Sequence, residues 1–181
     1  MSEAKEIIVW DPIVRIFHWS LATSFLLNFF ITEEGETIHN WIGYFAISLI
    51  AIRALWGFIA FGFKGSNNAL FKNFWPTKKG VHEHLIDIQY GILDQNEGHN
   101  PAGGLMIFTL MGLISLLGIT GFLMENVDYF WGNDFMEGFH GLVANITVMA
   151  VVIHVSSVLL FQKWTGTQLI KPMMKGKREI K

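Results

Sequence analysis

GFHGLVANITVMAVVIHVSSVLLF, residues 138–161, decides the fold. These 24 residues hold no Asp, Glu, Lys or Arg. As a helix rising 1.5 Å per residue they cross the roughly 30 Å of a bilayer's hydrocarbon core. Two histidines interrupt the apolar run, His140 and His154, 14 positions apart. That interval is about four helical turns, roughly 21 Å, with only about 40° of drift around the axis. The two imidazoles therefore face the same way near opposite leaflets.

Three further apolar stretches precede it, at about 13–31, 39–63 and 101–124. Only 15% of the chain is charged, against about 25% in a soluble domain. The composition predicts an all-α fold: an integral membrane four-helix bundle, one domain over residues 1–181. Within the polar stretch 64–100, VHEHLIDIQYGIL predicts a short amphipathic surface helix. The start, MSEAKEIIVWDP, lacks the pattern of a cleavable signal, so the first span is expected to act as its own insertion signal. With no cysteine in the chain, disulfides, thiolate metal sites, iron–sulfur clusters and covalent haem attachment are excluded. No nucleic-acid partner is expected.

Charge sets the orientation. Segments 32–38 and 125–137 contain no Lys or Arg, and the basic residues outside the spans all lie in the amino-terminal segment, the 64–100 stretch and the tail, which ends KPMMKGKREIK. The positive-inside rule places both termini and the long loop in the cytoplasm, as for a multi-pass protein of a bacterial inner membrane. The outer loops carry seven acids: Glu33, Glu34, Glu36, Glu125, Asp128, Asp134 and Glu137. A rim of one sign speeds encounter with an oppositely charged protein, which suits a basic periplasmic cytochrome c-type partner. Loops that merely avoid Lys and Arg for topology would look the same.

Depth then pairs the histidines. His39 opens the second span at the outer face, level with His140. His18 lies near the cytoplasmic end of the first span, level with His154. Any one of these is explained as well by hydrogen-bonded packing. Ionisable groups within spans are nevertheless rare and usually functional, and four at two matched depths suit two six-coordinate haems. Zinc suits them poorly, because they form two separated pairs and not one tetrahedral cluster. His82 and His84, at i and i+2, do not share a helix face, and with His99 they make no metal site.

Arg15 lies three residues before His18, on the same helix face, placed for a haem propionate or for plain cytoplasmic anchoring. Arg53, deeper in its span, has a propionate, a backbone carbonyl or snorkelling to the inner surface open to it. Gly43, Gly138 and Gly141 lie close to the histidines, where a flat macrocycle needs missing side chains. Gly104, Gly112, Gly118 and Gly121 are expected to serve helix packing.

Several of these segments are familiar. VWDPIVRIFHW (9–19), GHNPAGGL (98–105), GFHG (138–141) and the pair Ile153–His154 resemble the bacterial cytochrome b561 family, which includes the b-type cytochrome subunits of nickel–iron hydrogenases. The resemblance covers nearly the whole chain. It implies a four-helix cytochrome with two haem b groups, bis-histidine ligation by His18, His39, His140 and His154, and electron exchange with membrane quinone. A hydrogenase subunit in this family looks longer, often with a fifth span that this chain lacks.

The expected activity is therefore transmembrane electron transfer between quinone and a periplasmic redox partner. Oxidation of superoxide with quinone as acceptor is the enzymatic alternative. A homodimer is compatible with the sequence. A pocket near the inner haem, between spans one and four, is the expected quinone site, with Asn28, Glu83 and His99 as polar contributors. A haem-free proton-relay transporter or a structural membrane anchor would use the same spans, and both would purify colourless.

Overall fold

The computed structural model describes residues 5–89 and 101–180. Strand β1 (Lys5–Ile8) leads into helix α1 (Pro12–Phe30), followed by α2 (Thr37–Ile59), two short 3-10 turns (Ser66–Ala69 and Phe71–Asn73) and α3 (Lys78–Gln89). Next come α4 (Pro101–Asn126), α5 (Asp134–Thr165), the short α6 (Ile170–Lys175) and β2 (Lys177–Ile180). Helices α1, α2, α4 and α5 are long and apolar enough to cross a membrane. In hydrocarbon a helix satisfies its own backbone polar groups, so such sequences have little alternative. Helix α3 supplies the short helix expected within 64–100.

The edges differ from the expectation for local reasons. Helix α2 stops at Ile59, short of residue 63, and the chain turns through Gly62 and Gly65, both at positive φ. Helix α5 starts at Asp134, four residues early, because Asn133 Oδ1 accepts the Met136 amide at 3.0 Å and Asp134 and Glu137 sit in the first turn. A side-chain cap and acidic residues both favour a helix amino terminus.

The chain packs as two compact units. The first comprises Met1–Ile16, Leu55–Ile107 and Ile153–Lys181. It contains an element that an all-α reading omits: β1 and β2 pair antiparallel, from Lys5 opposite Ile180 to Ile8 opposite Lys177. The pairing continues where Gly176, at φ +80°, accepts the Val9 amide at 2.8 Å. Asp11, fully buried, caps α1 through Oδ1 to the Val14 amide at 2.9 Å, and its Oδ2 accepts the Trp56 indole N–H at 3.1 Å. Asn68 Nδ2 donates to the Val9 carbonyl at 2.8 Å. Val9, Trp10, Val14, Ala60 and Ala69 form the core of this unit.

The second unit comprises Phe17–Ala54 and Phe108–Val152. Leu21, Ala46, Ile50 and Ile114 form its buried apolar cluster. A Cβ on Gly118 would lie 2.9 Å from Ile47 Cβ, so α4 and α2 approach closely there. Asn126 Nδ2 donates to the Tyr44 hydroxyl at 2.8 Å and ties the same two helices. Large apolar side chains such as Phe45, Met149 and Ile119 stay exposed on these helices, as lipid-facing surfaces require.

Candidate functional site

The second unit brings His39 and His140 together. His39 is the third residue of α2 and His140 the seventh of α5. Their ring centres are 6.4 Å apart, with the planes inclined at 61°. Each Nδ1 meets a threonine hydroxyl. Thr32 Oγ1, just past α1, lies 3.1 Å from His39 Nδ1, and Thr120 Oγ1, on α4, lies 2.7 Å from His140 Nδ1. Each hydroxyl also donates one turn back along its own chain, Thr32 to the Asn28 carbonyl at 3.0 Å and Thr120 to the Leu116 carbonyl at 2.8 Å. A hydroxyl has one proton. Spent on the carbonyl, it leaves the oxygen's lone pairs to accept Nδ1–H, so that Nε2 carries the free lone pair on each ring.

Both rings line a cavity of about 280 Å³. Much of the wall near them is small: Gly43, Gly121, Gly141 and Ala144. A Cβ on Gly121 would lie 3.6 Å from His140 Cε1, one on Gly43 would lie 3.8 Å from Asn28 Nδ2, and one on Gly141 would meet nothing within 4 Å. Side chains there would fill the space beside the imidazoles. The glycines are thus sorted differently from the sequence expectation. Gly118 packs against Ile47 and also lines the cavity, Gly121 belongs to the cavity, and Gly138 is exposed outside its lining. Gly104 packs against the Phe74 carbonyl in the first unit, and nothing approaches Gly112.

Such a pair suits a metal bound between two imidazoles. Two metal–nitrogen bonds of about 2 Å, with about 1 Å more from each nitrogen to its ring centre, give a separation of about 6 Å. The observed 6.4 Å matches it. Among the described residues no group of three or more His, Cys, Asp or Glu could hold a metal ion; a site here rests on the two nitrogens and a macrocycle's own donors.

The other expected residues fall in both units. His18, half-buried on α1, stacks edge-on against Trp19 at 5.2 Å in the second unit, whereas the half-buried His154 belongs to the first. Arg15, in the first unit, donates through Nη1 to the Met174 carbonyl at 3.0 Å, and its buried Nε has no hydrogen-bond partner among the described residues. Arg53 is buried at 3% exposure, so it does not snorkel to an aqueous surface. Asn28 lines the His39–His140 cavity, the exposed Glu83 lies 3.7 Å from Lys79 on α3, and His99 falls outside the described residues. His82 is exposed on α3, and the side chain of His84 also falls outside them. Sequence reasoning passed over Thr32, Thr120 and Asp11. Only Asp11 carried a signal, an Asp directly before a Pro at a helix start.

Four apolar helices, with two neighbouring imidazoles lining a cavity whose wall includes several glycines, are the makings of a membrane cytochrome of the b type. The chain belongs to the prokaryotic cytochrome b561 family, whose model matches residues 9–176. It is a multi-pass bacterial membrane protein of transmembrane b-haem electron transfer. No curated protein and no solved structure matches it.

Proposed function

We propose that the chain passes electrons between membrane quinone and a periplasmic cytochrome c-type partner through two haem b groups. His39 and His140 hold the outer one, and His18 and His154 hold the inner one. The observation that carries this reading is the 6.4 Å separation of the His39 and His140 rings, with both Nδ1 atoms engaged by hydroxyls. Haem bound there would supply a one-electron couple, with His39 and His140 as its protein ligands.

The chain's own residues do the rest. With Nδ1 bonded to a hydroxyl, Nε2 of each histidine carries the lone pair available to a metal. The small residues leave room for a planar group between the helices. Arg15 and Arg53 offer guanidinium donors suited to propionates. Apolar helices keep water from the path between leaflets. The basic residues at both ends of the chain and in the long loop orient it with the termini in the cytoplasm, so Glu33, Glu34, Glu125 and Asp128 face the periplasm.

A reduced-minus-oxidised spectrum with haem quantitation tests this. Two b-type haems per chain are expected, reducible by a quinol and reoxidised by a basic cytochrome c. His39→Ala or His140→Ala should remove one haem, and His18→Ala or His154→Ala the other. Folded wild-type protein that stays colourless when haem is supplied would refute it.

A further inference from the structure

We infer that Thr120 and Thr32 are positioning residues that set the tautomer of the outer histidine pair and hold down the potential of the outer haem. The inference rests on the proposed ligation by His39 and His140. The two hydroxyls repeat one device on two segments. Each spends its proton on a carbonyl four residues back, Leu116 for Thr120 and Asn28 for Thr32. Each then turns its oxygen to an Nδ1 on a different helix, at 2.7 Å for His140 and 3.1 Å for His39. The extra acceptors reinforce the arrangement: Leu117 O lies 3.1 Å from Thr120 Oγ1, and Asn28 Oδ1 lies 3.2 Å from Thr32 Oγ1. An oxygen surrounded by acceptors has its proton committed, so it is an acceptor toward imidazole.

Two consequences follow for the ligands. First, Nδ1 keeps its proton and Nε2 is the coordinating atom, with ring rotation fixed by a bond to a neighbouring helix. Second, an Nδ1–H bonded to oxygen makes the ring a stronger electron donor. A stronger donor stabilises the ferric over the ferrous state and lowers the potential. The shorter bond, on Thr120, has the larger effect. Thr120 is 3% exposed, so no water replaces its oxygen readily.

The test uses full-length protein in detergent, with each haem's midpoint potential read by spectroscopic titration. The outer haem is identified as the one that His140→Ala removes. Thr120→Val keeps the side-chain shape and removes the acceptor. Outer-shell partners of metal-bound histidines matter by on the order of tenfold or more, so a tenfold loss of ferric preference is expected, an upward shift of about 59 mV for a one-electron couple. Thr32→Val should shift the same haem upward by less, and Thr120→Ser should restore the wild-type value. The inner haem should not move. If Thr120→Val fails to fold, Thr32→Val with its serine counterpart reads the same quantity. Unchanged outer potentials in folded, fully loaded valine variants would overturn the inference, as would equal shifts of both haems or a serine variant that does not recover. Those results leave the ligand assignment standing. His140→Ala protein that keeps both haems would instead overturn the assignment, and the inference with it.

Discussion

Replacing Asp11 by Ala should cost about 3 kcal/mol, composed of two separable losses. Asp11 is fully buried, and both of its oxygens are used. Removing Oδ1 uncaps the Val14 amide at the start of α1, a loss of about 1 kcal/mol. Removing Oδ2 leaves the Trp56 indole N–H without its acceptor, about 1–3 kcal/mol for a group shielded from water. Asp11→Asn separates the two. Its amide oxygen still caps Val14, but its NH₂ faces another donor at Trp56, so about 2 kcal/mol of the loss should remain. Trp56→Phe removes the same bond from the other side. In a double-mutant cycle of Asp11→Ala with Trp56→Phe, the combined loss should fall short of the sum by about 1 kcal/mol or more, because the shared bond is counted twice in the singles. The assay is reversible unfolding in mixed micelles with increasing SDS, followed by far-UV ellipticity. Additive losses would refute the Asp11–Trp56 bond as a stabilising contact. An Asp11→Ala variant within about 0.5 kcal/mol of wild type, the ordinary range for surface changes, would refute the capping argument as well.

Gly118→Ala should lose about 1–3 kcal/mol by overpacking, because its Cβ would lie 2.9 Å from Ile47 Cβ, a branched atom fixed to the backbone. Gly112→Ala, with nothing within 4 Å, should be neutral or gain up to about 1 kcal/mol of helix propensity; the same unfolding assay compares them. Lys171 bonds to Glu179 and its charge holds that carboxyl below the ordinary glutamate range. A depressed folded value means that this link is present above the unfolded pKa and is lost as pH falls through the folded one. Amide protection in α6 and β2 should therefore decline on acidification in wild type and lose that component in Glu179→Gln. Electron delivery to a basic cytochrome c should slow at least about tenfold from low to high ionic strength if Glu33, Glu34, Glu125 and Asp128 steer the encounter as proposed; a rate indifferent to salt would count against that partner.

The four spans and the short helix α3 were legible because each depends on local composition. Helical rise gave His39 and His140 a common level, but the 6.4 Å between their rings depends on which helix faces lie together, which depth does not give. What stayed hidden depends on contacts between distant segments. The tail KPMMKGKREIK reads as basic anchoring, and nothing in it announces that Lys177–Ile180 pairs with Lys5–Ile8 across nearly the whole chain. Thr32 and Thr120 look like any membrane threonine bonded to its own helix, and only the facing helix shows which hydroxyls meet an imidazole. The glycines were mis-sorted for a related reason. A missing side chain marks a close approach or a cavity, but not which: Gly118 proved to be both, and Gly121 lies against His140.

The His39–His140 site draws on every helical segment of its unit. The imidazoles come from α2 and α5, the hydroxyls from the end of α1 and from α4, and the cavity glycines from α2, α4 and α5. The apolar cluster of that unit has four buried residues, from α1, α2 and α4. Helix α5 buries Val143 and Thr147 in that unit and is tied to α4 by the Thr120–His140 bond. In lipid, helices gain little from burying apolar surface against one another, so a haem held as proposed by His39 and His140 would have an outsized share in holding α5 in place. A ligand bound only by the folded form stabilises it according to its affinity and concentration. Withdrawal of haem should then loosen α5 near His140 first, while the Asp11–Trp56 contacts of the first unit persist.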